Sequence, residues 1–163
     1  MQAVYYINNM RIVSKSEIKT RAIGKRVAQK LIKRTETKNA TVVCLRGNLG
    51  SGKTIFAQGF GRGLGITGRI QSPTFVLMRR YRIKPRAKKT FAFFYHLDLY
   101  RIHNSKEIKY LDLKDIFNDA SAVILIEWAE KISRSLPSQA VNINFEHVRK
   151  SSARIITIDG IDK

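Results

Sequence analysis

Hydrophobic positions arrive along this chain in short runs divided by polar stretches, and the spacing inside each run predicts its element. Ser14, with Glu17 three positions on, makes a capping-box pattern. Beyond it Ile18, Ile23, Val27, Leu31 and Ile32 fall on one rough helical face, so a helix is expected to run through about Lys33. The polar segment RTETKNA ends it. Thr41 to Leu45 is a β-branched apolar run of strand type, a glycine-rich segment follows at once, and Ile55 to Leu64 reads as a helix stopped by Gly65. Further strands are expected at Thr74 to Ile83, Phe91 to Leu97, Ala122 to Ile126, Val141 to Phe145 and Arg154 to Ile158, with helical material between Ser105 and Phe117. Strands interleaved with helices predict an α/β fold, a sheet of mixed strands flanked by helices. With 163 residues, 44% of them hydrophobic, and neither repeat nor linker, one domain covering 1–163 is expected.

The chemistry concentrates in the glycine-rich segment. Gly47-Asn48-Leu49-Gly50-Ser51-Gly52-Lys53-Thr54 satisfies the pattern G-x-x-x-x-G-K-[ST], and it sits where that pattern must sit, between a strand and a helix. Glycines let the backbone turn so that successive N–H groups face phosphate oxygens, and the following helix N-terminus adds partial positive charge. Lys53 is then expected to reach the outer phosphates of a nucleoside triphosphate, and the Thr54 hydroxyl to ligate Mg²⁺.

A phosphate cradle becomes a hydrolase only with carboxylates that hold the metal and orient water. Two candidates end apolar strands: Glu127 closes AVILIE, as a Walker B acid would, and Asp98 closes FAFFYHLD. His96, two residues before Asp98, reads as a structural hydrogen-bonding residue, because His96, His103 and His147 show no paired metal-ligand spacing and no zinc site is expected. Trp128 could stack on a base or a partner, although packing within the domain is the commoner use. Ser72-Pro73-Thr74-Phe75 reads locally as a turn entering a strand.

Composition changes this picture in one respect. Lysine and arginine number 31 against 12 acidic residues, giving a net charge of +19, which makes a polyanion such as nucleic acid a plausible partner. The charges are spread along the chain, and only Lys84 to Lys89 forms a dense cluster. No stretch approaches the roughly 18 apolar residues of a membrane span, so a soluble protein is expected. The single cysteine, Cys44, lies inside the apolar run TVVCL, as a buried core residue would, which fits a reducing cytoplasm.

Taken in order, the segment SEIKTRAIGKRVA, the cradle GNLGSGKT, SPTF at Ser72 to Phe75, HLDLYR at His96 to Arg101 and IEWAE at Ile126 to Glu130 resemble the TsaE (YjeE) family, over most of the chain. The resemblance implies a P-loop ATPase, Mg²⁺-dependent, in the bacterial machinery that makes N6-threonylcarbamoyladenosine at position 37 of tRNAs reading codons that begin with A. It implies TsaD and TsaB as partners, a role in resetting their complex instead of transferring the carbamoyl group, and contact with tRNA through that complex or directly through the basic surface. It further implies phosphate binding by Gly50, Ser51, Gly52, Lys53 and Thr54, magnesium at Thr54 and Glu127, and a catalytic or metal-linked role for Asp98. Thr20, Ile55 and Arg154 match positions near nucleotide, and Thr74 a nucleotide-sensitive loop. Ala129 and Asp112 depart from the family pattern, the latter standing where glycine is usual. Two alternatives are a small-molecule kinase with the same cradle and a basic RNA-binding module with a vestigial one. A GTPase is disfavoured by the lack of N-K-x-D and D-x-x-G motifs.

Overall fold

The structure is a computed structural model that describes residues 9–33, 38–84, 91–103, 107–108, 111–149 and 151–161. Its elements in chain order are β1 (Asn9–Ser14), α1 (Glu17–Ile32), β2 (Thr41–Gly47), α2 (Lys53–Gly63), β3 (Met78–Arg82), β4 (Phe93–Asp98), α3 (Leu113–Phe117), β5 (Ala122–Glu127), a 3-10 segment Ala129–Ser135, β6 (Val141–His147) and β7 (Arg154–Asp159). The strands form one seven-stranded sheet in the order β1-β7-β6-β2-β5-β4-β3. Its middle, β6-β2-β5-β4, is parallel, while β3, β7 and β1 are antiparallel to their neighbours.

Alternation of side chains across the parallel strands divides the core in two. Val43 and Leu45 of β2, Val123 and Leu125 of β5 and Phe94 of β4 face α1 and α2. Val42 and Cys44, Ile124 and Ile126, and Tyr95 and Leu97 face the side that carries α3 and the 3-10 segment. Because both faces are covered, β5 is buried throughout and reads as a continuous apolar run. Helices α1 and α2 meet through glycines. A Cβ on Gly59 would fall 2.0 Å from the Arg21 carbonyl oxygen, one on Gly24 2.3 Å from that of Phe56, and one on Gly63 2.5 Å from that of Lys25.

Several sequence expectations need correction. The cap of α1 is Ser16, whose hydroxyl accepts from the Lys19 amide; Ser14 instead ends β1, an edge strand that the apolar pattern did not announce. Ile18 is 78% exposed and leaves the helical face. The expected strand from Thr74 contracts to Met78–Arg82, because 74–76 form a turn closed by the Val76 amide on the Pro73 carbonyl. Among the described residues helical material before Phe117 is α3 plus 3-10 positions at 107–108 and 111, while Ser105 and the positions 106, 109 and 110 lie outside the described residues, as does most of the basic cluster Lys84 to Lys89. Asp112, the departure noted above, takes φ +44, the left-handed conformation in which glycine carries no Cβ penalty. Cys44 is buried as expected, and burial pushes its thiol up to about 11.

Candidate functional site

Strand β2 delivers the chain to the cradle, and the cradle opens α2. Gly47, Gly50 and Gly52 all have positive φ, and Gly52 caps α2 at φ +101 without any side chain, so the first N–H groups of the helix face outward. Nothing lies within 4 Å of where a Gly50 Cβ would stand. The Ser51 hydroxyl is fully buried and has no hydrogen-bond partner among the described residues, an orphan polar atom inside the cradle.

Lys53 is 4% exposed and folds back over its own loop. Its Nζ donates to the carbonyls of Gly47 (2.7 Å) and Asn48 (3.0 Å) and lies 3.9 Å from the centre of the Trp128 ring. Trp128 reaches that position from a left-handed backbone, φ +60, at the end of β5, and also packs on Tyr100. Burial pulls the Lys53 pKa below its usual 10.5, opposed by the charges of Glu127, Glu130 and Asp98.

The two carboxylates are neighbours because β4 and β5 are parallel and in register, with Asp98 opposite Glu127 at their C-terminal ends. Glu127 is 2% exposed and both of its oxygens are engaged: Oε2 accepts the Thr54 hydroxyl at 2.9 Å, and Oε1 lies 2.8 Å from His96 Nε2. His96 is completely buried and stacked on Phe94, and its Nδ1 has no partner among the described residues; in the tautomer with the proton on Nε2 it donates to Glu127. Asp98 Oδ2 accepts from the hydroxyls of Ser72 and Thr74, and Oδ1 from the Tyr100 amide at 2.9 Å. The turn that replaced the expected strand is thus tied through its two hydroxyls to the acid at the end of β4.

Gly50, Ser51, Gly52, Lys53, Thr54, Ile55, Asp98 and Glu127 line one cleft of about 410 Å³, together with Glu17, Thr74, Tyr100 and Trp128. Two expected residues stand elsewhere. Thr20 is fully buried one turn of α1 behind Glu17, its hydroxyl shared with Ser14 and donated to the Ser16 carbonyl, so the helix residue that reaches the cleft is Glu17. Arg154, at the start of β7, is not among the cleft-lining residues but lies against the cradle: a Gly52 Cβ would fall 2.6 Å from its Nη1. Its Nη2 donates to the Ser152 carbonyl, and its buried Nε has no partner. Sequence reading gave no site role to Glu17 or Tyr100. Glu17 announced itself only as the capping-box partner of Ser14, and that the start of α1 meets the cradle is a matter of helix packing.

A parallel β-strand running into this loop and helix, with an acid at the end of the adjacent strand, defines a P-loop nucleotide-binding α/β protein. Residues 14–156 match the family model for "Threonylcarbamoyl adenosine biosynthesis protein TsaE". The chain is similar to the tRNA threonylcarbamoyladenosine biosynthesis protein TsaE of Haemophilus influenzae, 36% identical over 76% of this chain and 73% of that one. It is likewise similar to the protein of the same name from Bacillus subtilis, 34% identical over 78% of this chain and 76% of that one. A crystal structure of Bacillus subtilis YdiB superposes with a TM-score of 0.69 at 29% identity, over 94% of this chain and 86% of that one. The protein therefore belongs to the TsaE family, whose place is in threonylcarbamoyladenosine biosynthesis on tRNA. Among the described residues no helix is long and apolar enough to cross a membrane.

Proposed function

We propose that this chain is the Mg²⁺-dependent ATP-binding and hydrolysing component of the machinery that makes N6-threonylcarbamoyladenosine at position 37 of tRNAs reading codons that start with A. It resets the TsaD–TsaB complex in the cytoplasm and does not itself transfer the carbamoyl group. The observation that carries the reading is the Thr54 hydroxyl on the Glu127 carboxylate at 2.9 Å, beside Lys53 and opposite Asp98.

The residues present fit both groups. The uncapped start of α2, the open space over Gly50 and the unpartnered Ser51 hydroxyl supply donors for a triphosphate. The hydroxyl and carboxylate oxygens of Thr54 and Glu127 are the donor set a hard divalent cation prefers. When bound, Mg²⁺ would neutralise phosphate charge and polarise the bond that breaks. Lys53, freed from the Gly47 and Asn48 carbonyls, reaches toward the phosphate oxygens. His96 fixes one oxygen of Glu127 so that the other stays directed at Thr54. Asp98, opposite Glu127 at the end of β4, is the acid placed to orient water. Its link to Ser72 and Thr74 makes the SPTF turn the segment that reports the state of the site.

The test is ATP hydrolysis by the purified chain, alone and with TsaD–TsaB, against Glu127→Ala. Turnover stimulated by the partners and lost in the variant is expected. Failure of the unsubstituted chain to bind or hydrolyse ATP under either condition would overturn the reading.

A further inference from the structure

A second cleft, of about 300 Å³, opens on the surface made by α1, α2 and the segment after α2, and is lined by Arg21, Gln58, Arg62, Arg69 and Ile70. Among the described residues it shares none with the nucleotide cleft. The glycine contacts between the helices create it: the close approach of Gly59 to the Arg21 backbone brings the Arg21 stem beside Gln58, one residue before Gly59, and near the last turn of α2, where Arg62 stands.

The polar groups of this cleft are almost all donors. Arg21 Nε donates to Gln58 Oε1 at 3.2 Å, which uses the amide oxygen and leaves the amide nitrogen as the free end of that side chain. Arg62 Nη1 donates to the Thr67 carbonyl at 3.3 Å, a neutral partner. Arg69 is exposed and makes neither hydrogen bond nor ion pair among the described residues. Among the described residues the carboxylate in contact is Glu17, paired with Arg21 Nη2 at 3.2 Å, and an exposed i,i+4 pair of this kind is weak. Three guanidinium groups thus meet one weakly held acid, and among the described residues no acidic side chain lines the cleft itself. Guanidinium forks match the paired oxygens of a phosphate, and a set of donors with spare positive charge selects an anion over a cation or a neutral ligand.

We infer that this arginine cleft is a docking site for a backbone phosphate of RNA. The cleft, with Arg62 and Arg69 exposed, lies at the surface of a chain with net charge +19, an arrangement for holding a polyanion that passes across it. Its rim adjoins the nucleotide site, because Glu17, which lines that site, is the ion partner of Arg21. The family works on tRNA modification, so tRNA is the RNA to test. The inference does not require that the chain hydrolyse ATP.

The experiment measures binding of unmodified tRNA to the full chain by fluorescence anisotropy across a salt series, for the parent and for Arg62→Glu/Arg69→Glu. A charge-matched control, Lys114→Glu/Arg134→Glu, changes exposed residues whose elements cover the opposite face of the sheet. Loss of two phosphate contacts should weaken binding by about tenfold or more and lower the slope of log affinity against log salt by about two, with the control close to parent. Binding of a fluorescent ATP analogue should be unchanged in both. Equal weakening by both double variants would mean diffuse attraction and would overturn the site, as would absence of tRNA binding by the parent. Saturable binding of inorganic phosphate, lost in Arg62→Glu/Arg69→Glu while tRNA affinity is untouched, would assign the cleft to a free anion and overturn the RNA reading. If the double variant loses its cooperative thermal transition, Arg62→Gln and Arg69→Gln singly carry the same test.

Discussion

Replacing Gly59 by alanine sets two well-scaled effects against each other. Gly59 lies inside α2, and in an isolated helix alanine is the better residue by about 1 kcal/mol. Here, however, the added Cβ would stand 2.0 Å from the Arg21 carbonyl oxygen and 2.7 Å from the Arg21 Cα and carbonyl carbon. Ordinary contact begins near 3.4 Å, so the helices must part by about 1.4 Å at that point, and the obstacle is backbone that no rotamer change can move aside. Overpacking of this kind costs about 1–3 kcal/mol, and a main-chain obstacle belongs in the upper part of that range or just above it, about 2–4 kcal/mol. Packing wins over propensity by about 1–3 kcal/mol. For a chain of this length that lowers Tm by about 2–12 °C. Thermal unfolding followed by far-ultraviolet circular dichroism measures it, with Gly68→Ala as control, because nothing lies within 4 Å of a Gly68 Cβ and its φ is not left-handed. A Gly59→Ala protein as stable as the parent, or more so, would refute the claim that glycines set the α1–α2 approach, and with it the origin assigned to the arginine cleft.

Other predictions follow from the buried polar groups. His96→Leu removes the donor to Glu127 Oε1 and should reduce ATP turnover by about 10- to 100-fold, the equivalent of roughly 1.5–3 kcal/mol for a charged hydrogen bond, and raise the Mg²⁺ concentration for half-maximal rate; His96→Gln, which can still donate, should recover most of the loss. Equal behaviour of the two variants would remove His96 from the positioning of Glu127. The Lys53 pKa is lowered in the folded state, so the unfolded chain holds more protons in the window beneath 10.5, and stability there rises with pH. The unfolding free energy of the parent minus that of Lys53→Met should therefore increase as pH climbs toward 10.5, and a decreasing difference in denaturant titrations would contradict the burial argument. Cys44, fully buried with its thiol pushed up to about 11, should resist a disulfide-exchange reagent at pH 8 in the native state and react at once in denaturant. Fast native-state labelling would mean that the β2 face opens.

The sequence alone determined the cradle and its neighbours, because their chemistry is local. A glycine-rich loop between a strand and a helix, Lys53 and Thr54 at fixed offsets, and acids closing two apolar runs all depend on residues close in the chain. The central strands were legible for the same reason: buried on both faces, β2 and β5 are continuous apolar runs. What only the tertiary structure decided was everything that depends on which elements become neighbours. β1 was not legible because Met10 and Val13 of this edge strand face solvent and break the pattern. The run Thr74 to Leu77 is apolar enough for a strand, yet its hydroxyl partner is Asp98, 24 residues away, and that bond holds a turn. His96 reads as a structural hydrogen-bonding histidine until the register of β4 and β5 brings it to Glu127, and the packing of α1 is what turns the Thr20 hydroxyl inward onto Ser14. Arg21, Arg62 and Arg69 are three ordinary surface charges in the sequence. They become one cleft because Gly59 lets α2 lie against the backbone of α1. Periodicity encodes which side of an element is buried, but it does not say against what.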